Sequence, residues 1–371
     1  MKTPLYKKTK IPKNTSPFKN RIILTGIISL FVFIIPVFSP GDNLLPYSEE
    51  MLNASKIMKE CISVIRTHFE TSGKNFNNST DPNQTGLIGP ELSSITTTLG
   101  HIDAKRTTTN PDMAALIVHL LKKAGVESGD TIALGCSASF PALVTASLSA
   151  AKAMEVFPVI IISIGASSFG ATDPDFNLLD IYLLLKNRIF DIKPAAITLG
   201  GEKDIGEGFE KEVKDSILKQ IQNSGILFIY EPDLRKNVAE RMKLYLGNYT
   251  SKGIKAFINT GGSYANFGTS PLVLNVKPGL NFNPELPTEE DRGVIFEMIA
   301  MNIPVIHLLY IKGLAVKYNL PWDPVPLPEV GESKLKDIES TGTLFRITGI
   351  VYIIILCVIL FFPGKKRNDR K

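Results

Sequence analysis

The chain has 371 residues, is 44% hydrophobic and 21% charged, and carries a formal net charge of +5. That charge belongs to the ends: residues 1–21 contribute +7 and residues 365–371 contribute +4, so residues 22–364 carry −6. A basic nucleic-acid surface is thereby excluded, and no nucleic-acid partner is expected. The three cysteines, Cys61, Cys136 and Cys357, form no CxxC pair or disulfide framework, although a Cys61–Cys136 bridge stays open.

In chain order, a basic tail without acids (1–21) runs into an uncharged apolar stretch at 22–38. A second such stretch lies at 347–362, closed by the basic tail 363–371. Both approach the ~17–25 apolar residues that cross a bilayer as a helix. Lys and Arg mark cytoplasmic flanks, so both termini read as cytoplasmic and the middle as extracytoplasmic, with the lipid bilayer as a partner. A cleaved signal peptide competes for the first stretch; its length, and Pro40 after Ser39, argue against that. The expected order is tail 1–21, span 22–38, helical connector and flexible loop 39–94, extracytoplasmic domain 95–330, linker 331–346, span 347–362 and tail 363–371.

Residues 47–69 read as a helix, with Met51, Ile57, Met58, Cys61, Ile62 and Ile65 at helical spacing. Residues 71–89, rich in Ser, Asn, Gly, Asp and Pro, read as an exposed loop open to disorder. Asn110 and Pro111 start an amphipathic helix to Ala124. Alternating strands and helices follow: strand 131–134, helix 140–154, strand 156–164, strand 195–199, helix 208–222, strand 226–230, helix 233–246, strand 254–260, helix 291–300 and strand 304–309. Residues 322–331 form an extended exit. This alternation predicts an α/β fold with a mainly parallel, helix-covered, Rossmann-like sheet, flanked by the N-terminal and C-terminal transmembrane helices.

Ligands bind such sheets beyond the carboxyl ends of the strands. There the chain places Gly135, Ser137 and Ser139, then Ser167 and Ser168, then Gly261, Gly262 and Ser263. Glycine lets backbone approach a ligand, and hydroxyls can hold an anion. The same loops also read as ordinary strand-to-helix turns, with Ser139 as an N-cap. The Gly135–Ser137–Ser139 stretch is a degraded nucleophile elbow, and Ser137, Asp173 and His307 occur in the order of an α/β-hydrolase triad. His307 reads equally as a core histidine. Lys105 and Arg106, set among threonines, are candidates to hold a carboxylate or to make a surface salt bridge. No histidine has metal-ligand spacing, and no cofactor or metal is expected.

The stretches TTTLGHIDAKRTTTNPDMAALIVHLLKKAGV, GCSASFPALVTASLSAAKAM, IGASSFGATDPDFNLLDI and IHLLYIKGLAVKYNLPWDPVPLP together resemble the bacterial poly-gamma-glutamate system protein family, over residues 90–330 and the flanking spans. The resemblance implies a membrane component associated with making, exporting or anchoring poly-gamma-glutamate. Its implied partners are the polymer or other capsule-system membrane proteins. It brings no catalytic residues with it. Two readings follow: a binding component without chemistry, or an extracytoplasmic serine-dependent hydrolase or transferase acting on gamma-glutamyl amide bonds.

Overall fold

The computed structural model describes residues 22–30, 44–186, 188–247, 253–337 and 349–359. They belong to two units, Leu45–Lys336 and a second formed by the chain ends.

The strands of the larger unit are β1 (Thr96–Thr98), β2 (Thr131–Ser137), β3 (Phe157–Ser163), β4 (Ala166–Ser167), β5 (Ala196–Thr198), β6 (Ile254–Asn259), β7 (Gly279–Asn281) and β8 (Val305–His307). Six of them make one sheet in the order β5-β3-β2-β6-β8-β7, parallel except for β7 at the edge. Thr131 to Ser137 align one for one with Phe157 to Ser163, and Asn259 aligns with His307. β1 and β4 form a separate two-stranded parallel pair. The expected α/β fold with a mainly parallel sheet is what forms.

The period of two along a strand explains how both faces are filled. Ile132, Leu134, Ile160 and Ile162 enter one core, while Ala133, Val159 and Ile161 enter the other. Helices α1 (Glu49–Ser72), α3 (Asp112–Lys123) and α4 (Pro141–Ala153) supply the first core. Helices α7 (Leu234–Tyr245) and α9 (Val294–Ala300) supply the second. The remaining helices are α2 (Ile102–Thr108), α5 (Leu178–Leu185), α6 (Lys211–Ser224), the single turn α8 (Tyr264–Phe267) and α10 (Ile311–Tyr318).

Several expectations need correction. The segment 39–94 is no mere connector, because α1 packs across α3 and α4 and belongs to the core. Residues 80–89 are built into the domain, while 71–79 are largely exposed, as expected. Asp81 accepts from Thr85 Oγ1 at 3.1 Å and from the Gly86 N–H at 2.8 Å, Arg66 of α1 donates to the carbonyls of Asn83 and Gln84, and Leu87 is buried. The expected strand 226–230 makes only a single bridge, Phe228 to Ile197, at the edge of the sheet. Conversely, α2 forms in a stretch to which no element was assigned.

Asp112, fully buried, fastens the first and last parts of the domain. It accepts from Ser55 Oγ at 2.8 Å, the Gly331 N–H at 2.9 Å and the Ser333 N–H at 3.0 Å. The Leu45 N–H donates to the Leu335 carbonyl at 2.7 Å, so the two ends of this unit meet.

In the smaller unit, residues 22–30 and 349–359 are helical, and the Tyr352 hydroxyl donates to Ser29 Oγ. Among the described residues no helix is long and apolar enough to cross a membrane. The rest of the expected spans 22–38 and 347–362, and both basic tails, lie outside the described residues.

Candidate functional site

From β2 the chain winds outward through β3 to β5, then returns to lay β6 on the other side of β2. The gap between the carboxyl ends of β2 and β6 is therefore a topological switch point, where an open α/β sheet leaves a crevice for ligand. A cleft of about 700 Å³ lies here, lined among others by Gly100, Lys105, Ser139, Ser167, Gly261 and Gly262. Leu99 and Tyr310, 82% and 69% exposed, also line it, as do Lys312 and Trp322. A larger hollow of about 880 Å³ at the start of α1 is lined by Glu49, Glu50, Lys122 and Glu155. There Glu50 and Lys122 already pair at 2.6 Å.

Lys105 is the unusual group of the cleft. It is 2% exposed, on the short helix α2. Its ammonium donates to the Ser139 carbonyl and, at 2.6 Å, to Ser167 Oγ, and it lies 3.7 Å from the centre of the Phe140 ring. Among the described residues no carboxylate pairs with it, so burial is uncompensated and pushes its pKa down to about 7. Ser139 Oγ accepts from the Ser167 N–H at 2.9 Å, tying the loop after β2 to β4.

The Gly261-Gly262 loop supplies the β6 side. The two glycines have φ of +131° and +138°, and a Cβ would sit 2.9 Å from Ser137 Cβ and 2.4 Å from Asn266 Nδ2 respectively. Only glycine fits at both positions. Asn266 Nδ2 donates to the Gly261 carbonyl at 2.6 Å and to Asn259 Oδ1 at 3.1 Å. Among the described residues neither glycine N–H has an acceptor.

A buried polar network runs across the carboxyl end of the sheet and holds this loop. Arg241, fully buried, pairs with Asp204 and donates to Asn237 Oδ1 at 2.8 Å, Thr198 Oγ1 at 3.3 Å and Asn266 Oδ1 at 3.4 Å. Burial alone would lower the Arg241 guanidinium, but Asp204 and Tyr245 together outweigh it and the net shift is upward. Thr198 meets Asp204 at 2.7 Å and Ser163 at 2.8 Å. Asn259 continues to His307 Nδ1 at 3.3 Å.

The expected triad does not assemble. Ser137 Oγ donates to Ser139 Oγ at 3.0 Å and accepts from the Ser139 N–H at 3.2 Å, closing a local turn. Asp173 pairs with Lys74 at 2.7 Å in a different cleft, beside Phe69 and Phe176. His307 lies on β8, separated from β2 by β6, and bonds Asn259; its burial pushes its pKa down to about 4. A nucleophile and its base must be within hydrogen-bond reach, and among the described residues no hydrogen bond links any two of these three.

The other expected residues divide. Lys105, Ser139, Ser167, Gly261 and Gly262 converge on one cleft. Arg106 turns away and makes a two-pronged pair with Asp323, so the carboxylate site expected of both cations is left to Lys105. Ser139 does not cap α4, whose N-cap position is Phe140. Ser263 caps α8 through the Ala265 N–H, and Gly135 packs against Phe257 and Asn266 within β2. Ser168 is buried with its hydroxyl unbonded, outside the cleft lining. Cys61 and Cys136 are both buried free thiols. Among the described residues no cluster of His, Cys, Asp or Glu could hold a metal ion. The network through Asp204, Arg241 and Asn266 was not anticipated; a lone Asp, Arg and Asn on separate segments carry no motif. Compared with protein-family models, with curated proteins and with solved structures, the chain matches none.

Proposed function

We propose that this chain is a membrane-anchored component of a bacterial poly-gamma-glutamate system, whose extracytoplasmic α/β domain binds the carboxylates of the polymer in the switch-point cleft. The observation that carries the reading is Lys105, a buried amine facing a cleft without a carboxylate partner. An uncompensated buried ammonium is costly, and an anionic ligand removes that cost. The free N–H groups of Gly261 and Gly262 and the exposed Lys312 offer further anion contacts in the same cleft.

Anchoring is supported by the smaller unit. Ile22, Ile23, Leu24 and Ile27 in one helix, and Ile350, Ile353, Ile354 and Val358 in the other, are half-exposed apolar side chains. Such a surface is at home against lipid. The Leu45 N–H meets the Leu335 carbonyl, so the two ends of the domain adjoin one another.

Binding of poly-gamma-glutamate to the full-length protein in detergent or nanodiscs tests the reading. Lys105→Gln weakens binding by about tenfold or more, on the scale of a lost charged hydrogen bond, whereas Arg106→Gln leaves it unchanged. A carboxylate binds the ammonium form, so affinity falls by about tenfold per pH unit above the Lys105 pKa of about 7. Binding that is flat from pH 6 to 9, or indifferent to Lys105→Gln, removes Lys105 as the anchor.

A further inference from the structure

The contact between Lys105 and Ser167 has the geometry of a nucleophile and its base. Ser167 Oγ is 2.6 Å from Lys105 Nζ, both line the cleft, and both are fixed by other bonds. The Ser167 N–H is held by Ser139 Oγ at 2.9 Å, and the Lys105 amine by the Ser139 carbonyl. Gly100 packs directly against the pair. A Cβ there would lie 3.2 Å from Ser167 Oγ, 3.2 Å from Lys105 Cε and 2.8 Å from the Ser168 carbonyl. Burial favours the neutral, proton-accepting form of the amine and outweighs the attraction of the Phe140 ring face for the ammonium. Ser137 is engaged in its turn with Ser139, the thiols of Cys61 and Cys136 lie within the core, and Ser168 lies outside the cleft lining.

We propose that Ser167 and Lys105 are a nucleophile–base pair that performs acyl transfer at the amide bonds of a carboxylate-rich chain bound in this cleft. The substrate class rests on the binding reading above; the pair itself rests on its own geometry. Neutral Lys105 takes the Ser167 hydroxyl proton as Oγ bonds to the acyl carbon. The Gly261 and Gly262 N–H groups, which line the cleft and have no acceptor among the described residues, are assigned to the carbonyl oxygen, which becomes an oxyanion. When the intermediate collapses, the C–N bond breaks, and the Lys105 ammonium returns the proton to the leaving amine. An ester on Ser167 remains. Water, losing a proton to Lys105, then adds to the ester carbon. Oγ leaves with that proton, releasing a carboxylic acid; an amine in place of water gives a new amide. No redox partner or metal is required.

Lys105 titrates near pH 7, so this chemistry and polymer binding have opposite pH dependences. The apparent kcat/KM rises through pH 7 to a plateau, while affinity, measured on Ser167→Ala, falls.

The experiment uses the full-length protein in nanodiscs with poly-gamma-glutamate, counting new amino groups. In parallel, 4-nitrophenyl acetate serves as an activated acyl donor, with the adduct located by mass spectrometry. Wild type yields new amino groups and an acetyl adduct on Ser167. Ser167→Ala abolishes the adduct but still binds polymer. Lys105→Arg keeps charge and donors yet cannot lose its proton, and lowers kcat/KM by about 10²–10⁴. The wild-type pH profile needs no variant and guards against misfolding of the mutants. Polymer binding with neither cleavage nor a Ser167 adduct from pH 7 to 9 overturns the pair and leaves the binding reading standing. An adduct on Ser137 or Ser139 overturns the assignment of the nucleophile. An adduct on Ser167 without polymer binding supports the pair and removes polyglutamate as its substrate.

Discussion

Lys105 and Arg106 are neighbours with opposite fates, and the difference is measurable as stability. Arg106 has Asp323 and is partly exposed. Lys105 is buried and no carboxylate among the described residues pairs with it, so its folded pKa, about 7, lies below its unfolded value of 10.5. Between those values the unfolded chain holds the proton and the folded one does not. Wild-type stability therefore rises with pH across that window, and the penalty of burying the ammonium is fully present below it. Each pKa unit corresponds to about 1.4 kcal/mol. Lys105→Met removes the charge at similar length, so it raises Tm by several degrees at pH 6, a gain that shrinks as the pH approaches 10.5. Calorimetry of both proteins over this range checks it. A variant less stable than wild type at pH 6 contradicts an unpaired buried ammonium.

At the scale of elements, the β6 side of the cleft depends on a loop that tolerates no side chain. Gly262 has φ +138° and no room beyond its Cα, whereas Gly125, after α3, has φ +78° and nothing within 4 Å of its Cβ position. An alanine at Gly125 suffers only the backbone penalty, on the order of 1 kcal/mol. At Gly262 it must also displace Asn266, which holds the Gly261 carbonyl and joins the network to Arg241. Gly262→Ala is expected to destabilise by at least about 1 kcal/mol more than Gly125→Ala, and to weaken polymer binding, which Gly125→Ala does not. Paired urea denaturation and binding measurements decide it; equal losses would mean that the loop yields freely.

For the whole molecule the proposed arrangement is one domain held by two spans. In cells stripped of their wall, added protease removes the central domain and spares epitope tags at both termini. A C-terminal tag degraded from outside contradicts the two-span arrangement. The charge distribution bears on ligand binding as well. With −6 over residues 22–364, attraction of a polyanion must come from the cleft and not from the bulk field. Polymer binding should accordingly follow Lys105 far more steeply than it follows surface lysines such as Lys59 or Lys193.

The parts of this protein legible in its sequence are those governed by local chemistry. The apolar runs of β2 and β3 mark strands covered on both sides, and the alternation of strands with helices marks a parallel sheet. Asn110 and Pro111 stand where the helix was expected to begin, and Asn110 accepts from the Asp112 N–H at 3.0 Å at the start of α3. Several members of the candidate site were visible as loops beyond strand ends, because the carboxyl edge of such a sheet is where ligands bind. Which of those residues face each other was not visible. Read as a helix, the stretch 102–108 sets consecutive side chains about 100° apart, which separates Lys105 from Arg106; its threonines, weak helix formers, masked that reading. The edge segment 226–230 has strand composition yet makes one bridge, since composition does not say whether a partner runs alongside. The chemistry of Lys105 was decided wholly by tertiary structure. Its burial and its contact with Ser167 come from residues 34 and 62 positions away, and a pKa depends on what surrounds an amine in space. Tertiary structure likewise turned Ser137 into a turn residue and sent Asp173 to Lys74, because a triad is a set of distances and chain order supplies none of them.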